Sequence, residues 1–269
     1  MNKYDSIIIG AGHNGLVCAA YLAKKGQSVL VLESSDTPGG LAASREFHPG
    51  FRTSVAHSIK HFPRKIIKDL ALESFGFGGS AEPLPTVGLS LDGSHVVQHK
   101  DTLTGVSESD INAYHQFSGL MQRFADSLEP FWLKTIPRVG INSLADLVTL
   151  GSMGLSVRML GKSDLREFMR IMTLPARDLM DEYFDNDLLK ATLSWDGLIG
   201  SKRAPRSPNG AVLAMLYRMA GESRGAHRIP AGGVNGLIDA LSASATASGA
   251  EIRCAAAVNR VLIDGSADG

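Results

Sequence analysis

Three glycines near the start of the chain have the spacing of a dinucleotide-binding turn. Residues 10–15 read Gly-Ala-Gly-His-Asn-Gly, which is the GxGxxG pattern. The first glycine of that pattern makes a tight turn, the second lets the backbone approach a pyrophosphate, and the third lets a helix pack closely on a strand. The N–H groups at the start of the helix then face the phosphate charge. We therefore predict phosphate contacts from Gly10, Gly12, His13, Asn14 and Gly15.

An acidic residue and a glycine pair extend this predicted site. Glu33 ends the next apolar segment, at roughly the 20-residue spacing at which a carboxylate accepts hydrogen bonds from an adenosine ribose. NAD and FAD both carry adenosine, so Glu33 does not discriminate between them. Gly39 and Gly40 favour FAD, because a glycine pair lets the backbone run close under an extended cofactor. The neighbouring Ser34 and Leu41 belong to the same predicted site.

A βαβ unit has to position these residues. Ser6 to Ile9 is short, β-branched and ended by a glycine, which predicts a buried parallel strand. Asn14 to Lys25 has helically spaced apolar residues and is followed by Gly26, which predicts a helix. Cys18 falls on its apolar face, so we expect that thiol to be buried. Ser28 to Leu32 is the predicted second strand.

The alternation of strands and helices stops after Glu33 and returns near the end of the chain. Residues 34–50 predict a loop. The later predicted elements are a helix at 58–74 interrupted near Pro63, a hairpin of 86–91 with 95–98, mainly helical structure at 107–199, helices at 211–220 and 235–248, and strands at 251–254 and 258–263. This pattern predicts an α/β fold. Its Rossmann-like nucleotide-binding domain is split, 1–57 and 228–269, around an inserted, mainly helical cap or substrate domain at 58–227 with a small β-hairpin.

Several motifs resemble one superfamily. Glu33 followed by Gly39-Gly40 resembles the FAD site of the phytoene desaturase and amine oxidase superfamily. Residues 229–237, IPAGGVNGL, continue through GAEIR at 249–253 to Val258, similar to that superfamily's P-x-G-G-[MV]-x-x-L…G-A-x-I-x…V stretch. The resemblance implies that Val258 contacts the adenine through its backbone. The central block resembles the phytoene-desaturase-like family named pyridine nucleotide-disulphide oxidoreductase domain-containing protein 2: LLKATL at 188–193, Asp196, Ile199-Gly200, Ser207-Pro208 and Gly210.

The resemblance implies an FAD-dependent, phytoene dehydrogenase-like oxidoreductase. Its small-molecule substrate would be organic, with an apolar compound as one option, and its electron acceptor would be oxygen, a quinone or NAD(P). A flavin amine oxidase stays open, as does a non-catalytic FAD- or nucleotide-binding protein that acts through a partner. Members of the superfamily continue beyond this chain's last strand to a Gly-rich segment near the flavin ring. We therefore expect the C-terminal part of the family fold to be absent, and no catalytic residue is predicted.

Composition argues against other classes of protein. The chain has 27 basic and 27 acidic side chains, without the basic excess of a nucleic-acid binder. The apolar run at residues 7–9 is too short for a signal peptide or a membrane span. We expect no nucleic-acid partner, no integral membrane segment and a cytoplasmic location, or the mitochondrial matrix in a eukaryote. The sequence does not predict the oligomeric state.

The remaining candidate side chains are weaker. His57 and His61 have helical spacing but no third ligand, so we predict no metal site. His57 stays a candidate neighbour of the flavin or substrate, and Arg45 a candidate partner of the pyrophosphate. The two cysteines form no redox-pair spacing. No basic and aromatic face predicts docking to a membrane surface.

Overall fold

The computed structural model describes residues 3–60, 62–78, 80–138, 140, 143–208, 210–221 and 223–262. The chain divides into two compact units. The first joins Met1–Glu82 to Arg228–Gly269, and the second is Pro83–His227. The first unit therefore contains two stretches that are far apart in sequence, with the second unit inserted between them along the chain.

The described helices and strands follow one another in a mixed order. The strands are β1 (Ser6–Ile9), β2 (Val29–Leu32), β3 (Arg45–His48), β4 (Phe51–Thr53), β5 (Ser80–Pro83), β6 (Thr86–Leu89), β7 (His95–His99), β8 (Thr102–Thr104), β9 (Arg228–Pro230) and β10 (Glu251–Arg253). The α-helices are α1 (His13–Lys24), α2 (Arg64–Asp69), α3 (Glu108–Leu128), α4 (Leu144–Arg158), α5 (Gly161–Ile171), α6 (Ala176–Tyr183), α7 (Asp187–Leu198), α8 (Ala211–Met219) and α9 (Asn235–Ala247).

A parallel sheet in the order β1-β2-β10 forms the centre of the first unit. Ser6 pairs with Val29 and Ile9 with Leu32, so the ends of β1 and β2 are in register. Helix α1 packs against α9. The buried face of α1 consists of Leu16 and small alanines, and small side chains allow two helices to approach closely. The predicted strand-helix-strand unit is confirmed, but β1 is not buried as predicted, since Ile7 and Ile9 are 58% and 59% exposed.

The segment after β4 belongs to the core of the first unit. Leu70 and Leu72 are buried in the same cluster as the residues of α1 and α9. The Ser244 hydroxyl of α9 donates a hydrogen bond to the Leu70 carbonyl at 2.8 Å. These contacts explain why the first compact unit continues to Glu82, whereas the sequence placed the inner boundary after residue 57.

Three local predictions were wrong. The predicted loop at 34–50 contains β3, which pairs with β4 as an antiparallel hairpin. The predicted helix at 58–74 begins only at Arg64, because Ile59 instead exchanges two backbone hydrogen bonds with Arg228, at 2.8 and 3.0 Å. Cys18 is exposed, since it lies on the side of α1 that faces away from the core.

The predicted last strand is a further correction. Residues 258–262 are not in a strand, and Ile263 lies outside the described residues. A strand needs a neighbour for its backbone groups. Among the described residues, this segment pairs with neither β1 nor β10, the two outer strands of the sheet.

The second unit combines an antiparallel sheet with helices. Strands β6, β7 and β8 are adjacent in that order, and β6 and β7 form the predicted hairpin. The apolar face of α3, including Met121 and Phe124, is fully buried against side chains from α5 to α8. The predicted fold class, an α/β protein with a Rossmann-like domain, is confirmed. No helix in the described part of the chain is both long enough and apolar enough to cross a bilayer.

Candidate dinucleotide-binding site

The glycine turn joins β1 to α1, and at Gly15 the helix packs directly against the turn. A Cβ atom at Gly15 would lie 2.1 Å from the Gly10 carbonyl oxygen, a separation that no side chain tolerates. Gly10 itself has a φ of +98°, which favours glycine. A Cβ at Gly12 would instead meet nothing within 4 Å. The third glycine therefore permits the close packing of helix on strand, while the second leaves open space beside the backbone.

The glycine pair runs directly beneath this turn. The Gly39 N–H donates to the Ala11 carbonyl at 2.8 Å, and Gly39 forms a bridge with Gly12. A Cβ at Gly40 would lie 3.5 Å from the Gly12 Cα. Gly39 has a φ of +128° and Gly40 a φ of +57°, both in the region that favours glycine. Gly12 and Gly40 thus place bare backbone side by side, whereas Gly39 is buried and its missing side chain makes room for Ala43.

Glu33 connects the end of β2 to the turn. One carboxylate oxygen accepts a hydrogen bond from the Ala11 N–H at 2.7 Å. The other accepts from the Ser35 N–H at 2.9 Å and from the Ser34 hydroxyl at 3.2 Å. The residue is only 7% exposed. A carboxylate has about four acceptor positions, so three protein donors leave capacity for one more partner.

The electrostatics favour an ionised Glu33 and, separately, an anion at the start of α1. Burial raises the pKa of Glu33, but the N–H groups of Ser35 and Ala11 and the Ser34 hydroxyl outweigh burial and hold that pKa below its ordinary value. At the start of α1, no side chain caps the helix and the first turn contains no acidic residue. Its first N–H groups and its dipole are therefore directed at the open space near Gly12.

The segment that follows β10 lies at the same end of the sheet as Glu33. The Ala255 N–H donates to the Ser35 carbonyl at 2.7 Å, and the Ala256 N–H donates to the Glu33 carbonyl at 2.8 Å. Val258 follows two residues later and is half-buried. The chain therefore brings Val258 close to the Glu33 end of the sheet, although residues 258–262 do not form the predicted strand.

The other predicted residues lie around the glycine surface. His13 and Asn14 are exposed in the first turn of α1, and Ser34 and Leu41 are exposed beside it. The Leu41 carbonyl accepts from the Ala56 N–H at 2.9 Å, which returns the chain, with exposed His57, to the glycine pair.

The structure adds no support for two weaker site candidates, Arg45 and His61. Arg45 is exposed on β3, where it pairs with Thr53 of β4. His61 lies outside the described residues. Among the residues that the structure describes, no group of three or more His, Cys, Asp or Glu side chains is arranged to hold a metal ion.

Sequence reasoning missed Ala11. It is fully buried, its N–H binds Glu33, and its carbonyl binds Gly39, so it joins all three parts of the site. The only signal was that a small residue stands between the first two glycines. Ser35 was missed in the same way, because its contribution is made by backbone groups.

The residues present fit the ADP part of a dinucleotide. Open backbone at Gly12, an uncapped helix start and an ionised carboxylate at the end of β2 are the three elements that such a ligand requires. The fold and site together define a Rossmann-like dinucleotide-binding protein.

Comparisons with known proteins agree with the assignment of a Rossmann-like domain. Residues 8–69 match the family described as NAD(P)-binding Rossmann-like domain. The chain is 31% identical, over 97% of its length, to pyridine nucleotide-disulfide oxidoreductase domain-containing protein 2 of Rattus norvegicus, and it covers 49% of that protein. It is 26% identical over 97% of its length to the chloroplastic prolycopene isomerase of Daucus carota, of which it covers 42%.

A solved structure extends the likeness in fold. Putrescine oxidase bound to putrescine matches 94% of this chain and 51% of its own, with a TM-score of 0.56 and 17% identity. These findings confirm the predicted resemblance to the phytoene desaturase and amine oxidase superfamily. The chain spans about half the length of the curated relatives it matches.

Proposed function

We propose that the first unit binds the ADP part of FAD and that the chain serves an FAD-dependent oxidoreductase. The observation that carries this is the arrangement in which Glu33 holds Ala11 while Gly39 and Gly40 lie against Gly12. Such a surface offers backbone N–H groups and no side-chain bulk, which suits a pyrophosphate. The residues that would hold the cofactor are Gly10, Gly12, His13, Asn14, Gly15, Glu33, Ser34, Gly39, Gly40, Leu41 and Val258.

Each group of residues has its own task in this proposal. The start of α1 binds phosphate charge, Glu33 accepts a ribose hydroxyl, and the backbone near Val258 meets the adenine. Bound FAD supplies the redox chemistry, accepting a hydride or electrons from an organic substrate. The protein's share is to bind and orient the cofactor and the substrate.

FAD is favoured over NAD(P) by the glycine pair. Gly40 keeps a second stretch of exposed backbone bare beside Gly12, which an extended cofactor can use, and Gly39 lets Ala43 pack beneath it. The likeness in fold to putrescine oxidase and the homology to an oxidoreductase domain-containing protein support a redox role. The likeness to prolycopene isomerase supports an apolar organic substrate. We propose that the inserted helical unit contributes to substrate recognition, with oxygen, a quinone or NAD(P) as acceptor.

Titration of the purified chain tests the cofactor. FAD, ADP, NAD⁺ and NADP⁺ are each added in a calorimeter, and the visible spectrum is recorded after gel filtration with FAD. We expect FAD to bind more tightly than NAD⁺ and NADP⁺ and to co-elute with the protein. Tighter binding of either nicotinamide nucleotide would refute the choice of FAD.

A second outcome separates binding from catalysis. The competing function is a non-catalytic FAD- or nucleotide-binding protein that acts through a partner. Binding of FAD no tighter than ADP would show that only the ADP half is recognised. It would support that competing function against an oxidoreductase activity of this chain by itself.

A further inference from the structure

The segment that carries the glycine pair is held at both of its ends. At its start, the Gly39 N–H donates to the Ala11 carbonyl at 2.8 Å. The chain then makes one turn of 3₁₀-helix. At its far end, the Ser44 N–H donates to the side-chain oxygen of Asn235 at 3.3 Å. The segment from 39 to 44 is therefore attached to two parts of the first unit, the glycine turn and the start of α9.

Asn235 reaches this segment from a helix that is packed in the core. It is the first residue of α9, and the helix behind it is buried through Leu237 and Ile238, which are 4% and 1% exposed. The Asn235 amide nitrogen donates to the Asp239 carboxylate, one turn later, at 2.9 Å. This contact directs the nitrogen along the helix and leaves the amide oxygen for Ser44. The helix itself therefore orients the side chain that holds the segment.

The chain that follows Ser44 leaves the core at once. Every residue of β3 and β4 is exposed, so this hairpin projects from the first unit. The Arg52 side chain of β4 donates to the Ser44 carbonyl at 3.0 Å, which ties Ser44 to the exposed hairpin. The contact with Asn235 ties the same residue to a buried helix. Asn235 therefore fixes the last residue before the hairpin, four positions after Gly40.

Gly40 is the residue of the pair whose position matters most for a ligand. It is exposed, and a Cβ atom there would lie 3.5 Å from the Gly12 Cα. A binding group has to be held within roughly 0.5 Å of its productive position. A loop that is ordered before the ligand arrives also lowers the free-energy cost of binding. A contact that fixes this segment should therefore strengthen nucleotide binding.

We propose that Asn235 is a positioning residue for the dinucleotide. Its side-chain oxygen holds Ser44, and through Ser44 it keeps Gly40 beside Gly12 before the ligand binds. Asn235 acts through the backbone and does not itself touch the ligand. This inference rests on the proposed function, and it gives the segment at 229–237 a task in the site at the glycine turn.

Replacing Asn235 by alanine in the purified chain tests the proposal. ADP affinity is measured by calorimetry, and Tm by thermal unfolding. We expect ADP to bind about 2- to 12-fold more weakly, the factor that corresponds to one hydrogen bond. Ser44 is half-buried, so water can reach its N–H group and Tm should change little. Amide hydrogen exchange in residues 40–47 should become faster in the variant and slower again with ADP bound.

Ser244→Ala is the matched control, because it removes a comparable contact from the same helix. The Ser244 hydroxyl donates to the Leu70 carbonyl at 2.8 Å, and the two residues are only 3% and 2% exposed. This variant should lower Tm by a few degrees, since a buried carbonyl loses its donor, and should leave ADP affinity unchanged. The two variants therefore separate a contact that stabilises the fold from one that positions the site.

Two variants of Asp239 test the same contact while Asn235 stays in place. Asp239→Asn keeps an acceptor oxygen for the Asn235 amide, whereas Asp239→Ala removes it. Both variants lose the same charge, so its electrostatic effect on ADP cancels in the comparison. We expect Asp239→Ala to bind ADP about twofold more weakly than Asp239→Asn. Circular dichroism establishes that each variant is folded.

Two outcomes would overturn this inference by itself. One is ADP binding by Asn235→Ala at the affinity of the original protein, which with a lower Tm would leave Asn235 as a structural contact only. The other is equal ADP affinity of the two Asp239 variants. If the original protein does not bind ADP, the proposed function fails and this inference fails with it.

Discussion

Replacing Glu33 by glutamine separates its two roles in the candidate site. The side chain keeps its size and loses its charge. The carboxylate accepts the Ala11 N–H on one oxygen and the Ser35 N–H on the other. Glutamine has one acceptor oxygen and one NH₂ group, so one of these backbone donors then faces another donor.

The free-energy cost of this substitution follows from the burial of Glu33 and its backbone donors. Leaving one buried donor without an acceptor costs about 1–3 kcal/mol of unfolding free energy. For a protein of this size, that corresponds to a fall in Tm of roughly 2–12 °C. Loss of a charged acceptor for the ribose costs about 1.5–3 kcal/mol, which predicts ADP binding that is about 10- to 150-fold weaker.

The assay pairs thermal unfolding with ADP calorimetry at a temperature where both proteins are folded. Asp36→Asn is the matched control, since Asp36 is exposed in the same loop and accepts a long hydrogen bond, 3.5 Å, from the Thr37 hydroxyl. If Glu33→Gln resembled this control in both Tm and affinity, the assignment of Glu33 would be refuted. A lower Tm with unchanged ADP affinity would leave Glu33 as a structural brace only.

The pH dependence gives an independent check on the same carboxylate. The pKa of Glu33 is lower in the folded protein than its ordinary value. Its stabilising effect is therefore fully present above the unfolded pKa, about 4.3, and is lost as the pH falls through the lower folded value. The stability difference between the original protein and Glu33→Gln should shrink below about pH 4. A difference that is constant from neutral pH to pH 3 would contradict this account.

Three further substitutions follow from the described contacts. Gly15→Ala should lower stability by about 1–3 kcal/mol, because its Cβ would lie 2.1 Å from the Gly10 carbonyl oxygen and the helix has to move. Gly12→Ala, where a Cβ meets open space, should leave Tm nearly unchanged and weaken ADP binding; equal Tm values for the two variants would contradict the assigned roles. Asp110→Ala in the second unit should cost about 1–3 kcal/mol, since its buried carboxylate accepts the Asp185 N–H at 2.9 Å; denaturant unfolding measures it, and a cost below about 0.5 kcal/mol would refute the reasoning.

The part of the site that could be predicted from sequence depends on local geometry. Gly10 and Gly15 belong to one turn, and their spacing alone requires a close approach of α1 to β1. Glu33 ends a strand that pairs in register with β1, so its position follows from the βαβ unit. In each case the residue type and the neighbouring strand or helix are enough to predict where the residue lies.

The rest depends on backbone contacts between distant segments. The Ala11 N–H, the Ser35 N–H and the Ile59 backbone carry no side-chain signature, so a pattern of residue types cannot show their partners. The strand predicted after residue 257 failed for a related reason. Its apolar alternation fits a strand, but a strand forms only where the segment lies beside another strand and pairs with it, which is a property of the assembled sheet.

Helix α4 shows why apolar spacing does not by itself tell which side of a helix is buried. The periodicity of Leu144, Leu147, Val148 and Leu155 is equally consistent with a core face and with an exposed face. Packing against α3 decides between the two, because the Ser156 hydroxyl, elsewhere on α4, donates a hydrogen bond to the Ser127 carbonyl. That contact orients the helix so that the four apolar side chains are exposed, which only the assembled second unit determines.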